Sequence, residues 1–141
     1  MPHKMTTIPY RISGIKTTQF ALFPEKFVNG KDITVQTSFS FGYNEGLDSI
    51  RCISNFEYLQ DENVLMISEI QCTFDISPDG TSELKQLKKV PIDFLRYMAT
   101  IVTGTARGII HAKSEGTLLA GIILPPINVM ELIKNDLPVN G

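Results

Sequence analysis

Three consecutive stretches of this chain alternate apolar and polar residues with a period of two, and an antiparallel sheet is what satisfies them together. In ITVQTSFSFGY, Ile33, Val35, Phe39, Phe41 and Tyr43 fall on odd positions, with Thr34, Gln36, Ser38 and Ser40 between them. Successive side chains of a strand point to opposite faces, so this spacing predicts a strand with one apolar face. NEGL makes a turn, and Ile50, Cys52, Phe56 and Tyr58 share a face of the next strand. QDEN makes another, and Val64, Met66, Ile70, Cys72, Phe74 and Ile76 share a face of the one after. Matching apolar to apolar across the second hairpin sets Phe56 opposite Ser68 and Cys52 opposite Cys72. The first hairpin is expected to set Phe41 opposite Ile50 and Phe39 opposite Cys52. The three strands then present one apolar face, which something else must cover.

The segments on either side supply the remainder. IPYRISGIKTTQFALF, residues 8–23, reads as a first strand bent at Gly14 and ended by Pro24. The loop PEKFVNGKD follows, with Phe27 and Val28 among charged residues. SPDGTSELKQLKK, residues 77–89, reads as a polar connection. Residues 91–113 carry Ile92, Leu95, Ala99, Val102, Ala106, Ile109 and Ile110 at helical spacing, with Pro91 suited to a first turn. Met98 and Ile101 widen the stripe, which predicts burial on more than one side. Gly104 and Gly108 each cost a helix about 1 kcal/mol relative to alanine, a cost that close approach of another backbone would offset.

After SEG breaks the helix, LLAGIILPPINVMELI begins with ten residues, Leu118 to Ile127, that carry no polar side chain. The run is shorter than the roughly 18 apolar residues of a membrane span, and Pro125-Pro126 forbids a continuous helix. It reads as an extended apolar linker, with INVMELIKN forming a terminal helix of about two turns. The expected organisation is a loose tail over 1–7 and a single α+β domain over 8–141. That domain is a four-stranded antiparallel sheet, a long helix and a short C-terminal helix.

The chemistry-bearing residues are few. The 141 residues include 13 Lys and Arg against 15 Asp and Glu, a net charge of −2 that leaves no basic footprint for nucleic acid. The two histidines, His3 and His111, lie far apart in the chain, and no His/Cys/Asp cluster has metal-ligand spacing. No phosphate-binding or nucleophile-elbow motif occurs. Asp75 and Asp79 read as a strand-surface residue and a turn residue. Catalytic residues, metals and cofactors are therefore not expected. No export signal is evident at the N-terminus, so the chain is read as soluble and cytoplasmic, and Cys52 and Cys72 as buried thiols. What stands out is surplus apolar surface. The loop and the linker carry it, and Ile53, Leu59, Leu65 and Ile67 interrupt the other face of the sheet. Surplus of this kind either packs into the core or marks an interaction surface.

The order of these features resembles the SecB export chaperones. The most specific local match is EGTLLAGIILPPINVMELI, residues 115–133, where Gly116-Thr117 follows the long helix and Pro126-Ile127-Asn128 precedes the short one. Arg107 matches the arginine of the family's long helix. The resemblance implies four antiparallel strands, a crossover loop after the first, a long helix, a linker and a second helix. It implies an ATP-independent holdase for unfolded or partly folded polypeptides, serving protein export or a dedicated client such as an antitoxin. The implied client-binding residues are Phe23, Phe27 and Val28 on the crossover loop, Phe39, Phe41 and Tyr43 on the second strand, and Leu118, Leu119, Ile122, Ile123 and Leu124 on the linker. The implied assembly is a homotetramer, a dimer of dimers, with Met98, Ile101, Gly104, Thr105 and Gly108 of the long helix at the contact. Val129 and Met130 depart from the family's aromatic and acidic residues. The chain is only mildly acidic and stops at Gly141, so contact with an export motor is not expected. Two other readings stay open: a sheet-and-helix shell around a small apolar, lipid-like ligand, and an enzyme with a cryptic site.

Overall fold

The alternation is realised as a four-stranded antiparallel sheet. In the computed structural model, which describes residues 8–139, the strands are β1 (Tyr10–Leu22), β2 (Thr34–Tyr43), β3 (Ser49–Gln60) and β4 (Asn63–Ile76). They lie side by side in the order β1-β4-β3-β2. The crossover from β1 to β2 therefore carries the chain from one edge of the sheet to the other. The expected tail over 1–7 falls outside the described residues.

The β3–β4 register sets Cys52 opposite Cys72 and Phe56 opposite Ser68, as the apolar pattern requires. The β2–β3 register differs by two residues from the sequence expectation: Phe41 faces Cys52 and Tyr43 faces Ile50. The loop explains the shift. The Asn44 side-chain oxygen accepts from the backbone N–H groups of Asp48 and Ser49, both at 3.1 Å. Leu47 takes a left-handed backbone, φ 57°, and buries its side chain. The turn thus holds more residues out of the ladder than NEGL suggests. A shift of two leaves the same side chains on the same face. β1 carries a register break between Ile12 and Gly14, where a bend was expected, and a second between Thr17 and Gln19.

A helix lies where a polar connection was expected. α1 (Pro78–Leu87) starts with Ser77 accepting from the Gly80 N–H at 3.1 Å, Pro78 in the first turn and Asp79 near the positive helix end. Only Leu84 and Gly80 are buried, so the stripe is too thin for periodicity to reveal. Gly80 is required by packing: a Cβ there would stand 2.9 Å from the Ile76 side chain and 3.0 Å from that of Ile8.

The covering element is α2 (Ile92–Ser114). Leu95, Met98, Ala99, Val102, Ala106 and Ile110 are buried against the sheet. They divide the core into two clusters. One gathers Ile50, Cys52, Cys72, Phe74, Leu84, Met98 and Val102. The other gathers Phe56, Tyr58, Met66, Ile70, Ala106 and Ile110 with Leu119 and Leu124. Cys52 and Cys72 are free thiols, and burial pushes both up from their ordinary value.

The C-terminal segment returns along α2. Pro91 has no side chain to cap the helix, and Asp136 does so instead, accepting from the Ile92 N–H at 2.6 Å while pairing with Lys89 at 3.1 Å. These partners, the Ile92 N–H first and Lys89 next, hold the Asp136 carboxyl below its usual value. Arg96 donates to the carbonyls of Ile133 and Met130. β5 (Lys89–Val90) and β6 (Leu137–Pro138) close this contact as a small antiparallel pair. The terminal helix α3 (Val129–Leu132) is one turn rather than two, because Asn128 caps it and Ile133 is already extended. Among the described residues no helix is long and apolar enough to cross a membrane.

Candidate functional site

Two irregular segments, the crossover loop and the linker, meet over the second core cluster, where Phe27, Ile33, Val35, Ile122 and Ile127 all pack. Each segment is held by one side chain from a regular element. Gln60, buried at the end of β3, accepts from the Val28 N–H at 2.8 Å and donates to the carbonyls of Val28 (2.8 Å) and Lys31 (3.2 Å). Its amide thereby engages the loop as a strand backbone would. Arg107, on α2, donates from Nε to the Leu124 carbonyl at 2.7 Å and from Nη2 to the Pro125 carbonyl at 3.1 Å. Its fixed fork suits two neighbouring carbonyls.

Backbone anchoring has a consequence for the side chains. Val28 is exposed although its N–H and carbonyl are both bound. On the linker, Leu118 and Ile123 are 66% and 64% exposed, while Leu119 and Leu124 are 0% and 2% exposed. The segment is pinned by two leucines and two carbonyls, with Ile122 and Ile127 half-buried beside them and Leu118 and Ile123 turned outward. Thr117 shapes its start, donating to the Ser114 carbonyl and accepting from the Leu119 N–H. Loss of the Gln60 clamp, in Gln60→Ala, is expected to cost about 1–3 kcal/mol, since the Val28 and Lys31 groups lose a buried partner. Hydrogen exchange at Val28 should accelerate in the same variant, read by mass spectrometry.

An open groove of about 420 Å³ runs between β2 and the linker. Ile33, Val35 and Thr37 line it from one side, and Pro125, Pro126, Ile127, Asn128, Glu131 and Leu132 from the other, so an amide and a carboxylate share the apolar lining. Below it, Tyr58 has a buried hydroxyl with no hydrogen-bond partner among the described residues. Burial pushes that phenol up to about 12, with the nearby Arg107 charge opposing the shift.

The residues implied by the family resemblance distribute unevenly. Val28, Leu118 and Ile123 are exposed, and Phe23, Phe27 and Ile122 are half-buried around the two segments. Phe39, Phe41 and Tyr43 are half-buried on the covered face of β2, packed against the first cluster. Leu119 and Leu124 do not reach the surface: they are the pins of the linker, and their burial is what turns Leu118 and Ile123 outward. Met98 likewise lies inside the chain's own core, so it is not free to meet another subunit. Ile101 and Thr105 are half-buried, and Gly104 and Gly108 are exposed, with nothing within 4 Å of a Cβ built on either.

Sequence reading passed over Gln60 and Leu132. A glutamine ending a strand carries no pattern of its own. Leu132 lies with Met130 in the stretch read as a two-turn terminal helix; in the single turn that forms, Met130 is 65% and Leu132 45% exposed. Among the described residues no group of three or more His, Cys, Asp or Glu could hold a metal ion.

No family model matches the chain, and no curated protein matches it. Among solved structures, the chain is similar to a SecB-like chaperone of Mycobacterium tuberculosis, whose structure was determined in complex with a ChAD peptide from the HigA1 antitoxin. The TM-score is 0.44 at 12% identity, over 84% of this chain and 91% of that one.

Proposed function

We propose that this chain is a SecB-like holdase. It binds unfolded or partly folded polypeptides on apolar grooves without nucleotide, for protein export or for a dedicated client such as an antitoxin. The observation that carries the reading is the way the crossover loop and linker are held. Gln60 and Arg107 bind backbone, so Val28, Leu118 and Ile123 remain outside the core. Large apolar side chains held outside the core on two anchored segments suit an interaction site. A client's exposed apolar side chains supply the driving force, because burying them against these residues removes both surfaces from water. No chemical step is needed, and release follows when the client folds or is handed on.

In this proposal residues 8–141 act as one unit and assemble as a homotetramer. The outer side of α2, with Gly104, Gly108 and the exposed Tyr97, and the exposed Ile12 and Ile15 on β1 support contact with further copies. Ile101 and Thr105 flank that contact.

The test combines solution mass with aggregation of guanidinium-unfolded luciferase, followed by light scattering without nucleotide. The expected result is a stable oligomer that suppresses scattering at near-stoichiometric ratio. Ile123→Asp should weaken suppression several-fold while mass and thermal midpoint stay unchanged. A monomer that leaves scattering untouched would overturn the reading.

A further inference from the structure

The crossover loop carries a residue pair with chemistry of its own, Asn29-Gly30. Asparagine is among the thermolabile residues, and a following glycine, having no Cβ, leaves its backbone nitrogen open to close approach. Both residues are exposed, and nothing stands within 4 Å of a Cβ built on Gly30. Among the described residues neither the Asn29 carboxamide nor the Gly30 N–H has a hydrogen-bond partner. Other asparagines differ. The Asn44 carboxamide oxygen is held by the N–H groups of Asp48 and Ser49, and that of Asn128 by the Met130 N–H. Asn55, Asn63 and Asn135 precede Phe56, Val64 and Asp136, whose side chains crowd the next nitrogen.

The fold keeps Asn29-Gly30 in a closed turn. The Lys31 N–H reaches the Val28 carbonyl at 3.4 Å, and Gly30 takes φ 85° while Asn29 has no positive φ. This is the pattern of a type II turn, in which the residue before the glycine has ψ of about 120°. Bonding of the Gly30 nitrogen to the Asn29 side chain needs both on the same side of the Cα–C bond, so that ψ must rotate and the turn must open. Gln60 opposes the opening. Its amide engages the Val28 N–H and carbonyl, both at 2.8 Å, and the Lys31 carbonyl at 3.2 Å, which ties both ends of the turn to the end of β3. Lys31 is tied again by Asp61 at 2.9 Å.

We propose that Asn29 is a self-modification site whose rate is set by the Gln60 clamp. The Gly30 nitrogen attacks the Asn29 side-chain carbonyl carbon. A C–N bond forms, the bond to Nδ2 breaks, and ammonia leaves with the former Gly30 amide proton. Water then opens the cyclic imide. Opening at the side-chain carbonyl leaves an aspartate, and opening at the main-chain carbonyl leaves an isoaspartate, whose backbone is longer by a methylene. Water is the sole co-reactant, and no electrons are transferred. The longer backbone lies between the two points that Gln60 ties, so a single amide no longer spans them. Modification therefore frees the loop around the exposed Val28 and adds a negative charge to it. This chemistry stands independently of the holdase reading.

The test incubates the full chain at neutral and at mildly alkaline pH and maps its peptides by chromatography and mass spectrometry. The expected result is aspartate and isoaspartate at residue 29, formed faster at the higher pH because the attacking nitrogen must lose its proton, with Asn44 unchanged in the same digest. Gln60→Ala should speed conversion about tenfold, since the open turn gains population when the clamp's hydrogen bonds are lost. Gln60→Glu keeps the acceptor for the Val28 N–H but loses both donors, and it should speed conversion as well. Hydrogen exchange of β3 and β4 should stay unchanged in both variants; a parallel loss of protection there would overturn local control by the clamp. Equal rates in the wild type and both variants would overturn it too, and retention of Asn29 in every sample would overturn the site itself. The isoaspartate form, separated by ion exchange, should exchange its Val28 N–H about tenfold faster than the unmodified chain. Unchanged exchange at Val28 would overturn release of the loop.

Discussion

Leu119→Ala is expected to lower stability by about 2–5 kcal/mol, the range for truncating a buried leucine to leave a cavity. Leu119 is fully buried in the cluster with Phe56, Tyr58, Ile110 and Leu124, although it sits in a run with no alternation to mark an inner side. The measurement is urea unfolding, where the midpoint should fall at unchanged slope. Ile123→Ala, four positions on and largely exposed, should stay within about 0.5 kcal/mol. The contrast separates two arrangements of the linker. If Leu119 were turned toward a client, Leu119→Ala would leave stability alone and weaken holding instead. Equal midpoints for the two variants would therefore contradict the pinned linker.

Arg107→Ala should release the same segment from its backbone side. The variant loses two charge-assisted hydrogen bonds, to the carbonyls of Leu124 and Pro125. Such bonds contribute about 1.5–3 kcal/mol each when sheltered. Arg107 is only half-buried, so a total of about 2–3 kcal/mol is expected. Lysine should restore little, since a single ammonium cannot serve both carbonyls in the guanidinium geometry. The decisive readout is local: hydrogen exchange over 118–124 should rise about tenfold or more while strands β3 and β4 keep their protection. Uniform acceleration across the sheet would mean that Arg107 holds up the whole fold, and no acceleration would mean that the leucine pins suffice.

Both variants probe features that sequence pattern could not resolve. Period-two alternation identified β2, β3 and β4 and their shared face, because one side of each strand is buried and the other wet. The same argument set Cys52 against Cys72, since a one-residue slip would have exposed every apolar side chain. It could not set the β2–β3 register. A slip of two keeps the face, and the turn that decides between them depends on Asn44 bonding its own loop and on Leu47 reaching the core. Helical spacing marked α2 within a residue at each end. It missed α1, whose sole buried side chain of any size is Leu84; the capping pair Ser77-Pro78 was the available signal.

The sequence by itself determined which segments form the four strands of the main sheet, which is the long helix, and that apolar residues exceed what one sheet face can hide. These are properties of local periodicity and composition, and they survive without knowledge of neighbours. Only the tertiary structure decided which residues of Leu118–Leu124 are core and which are surface. An extended run with no alternation has no intrinsic inside. Its facing is imposed from elsewhere in the chain, by Arg107 taking two of its carbonyls and by the cluster under β2 and β3 accepting Leu119 and Leu124.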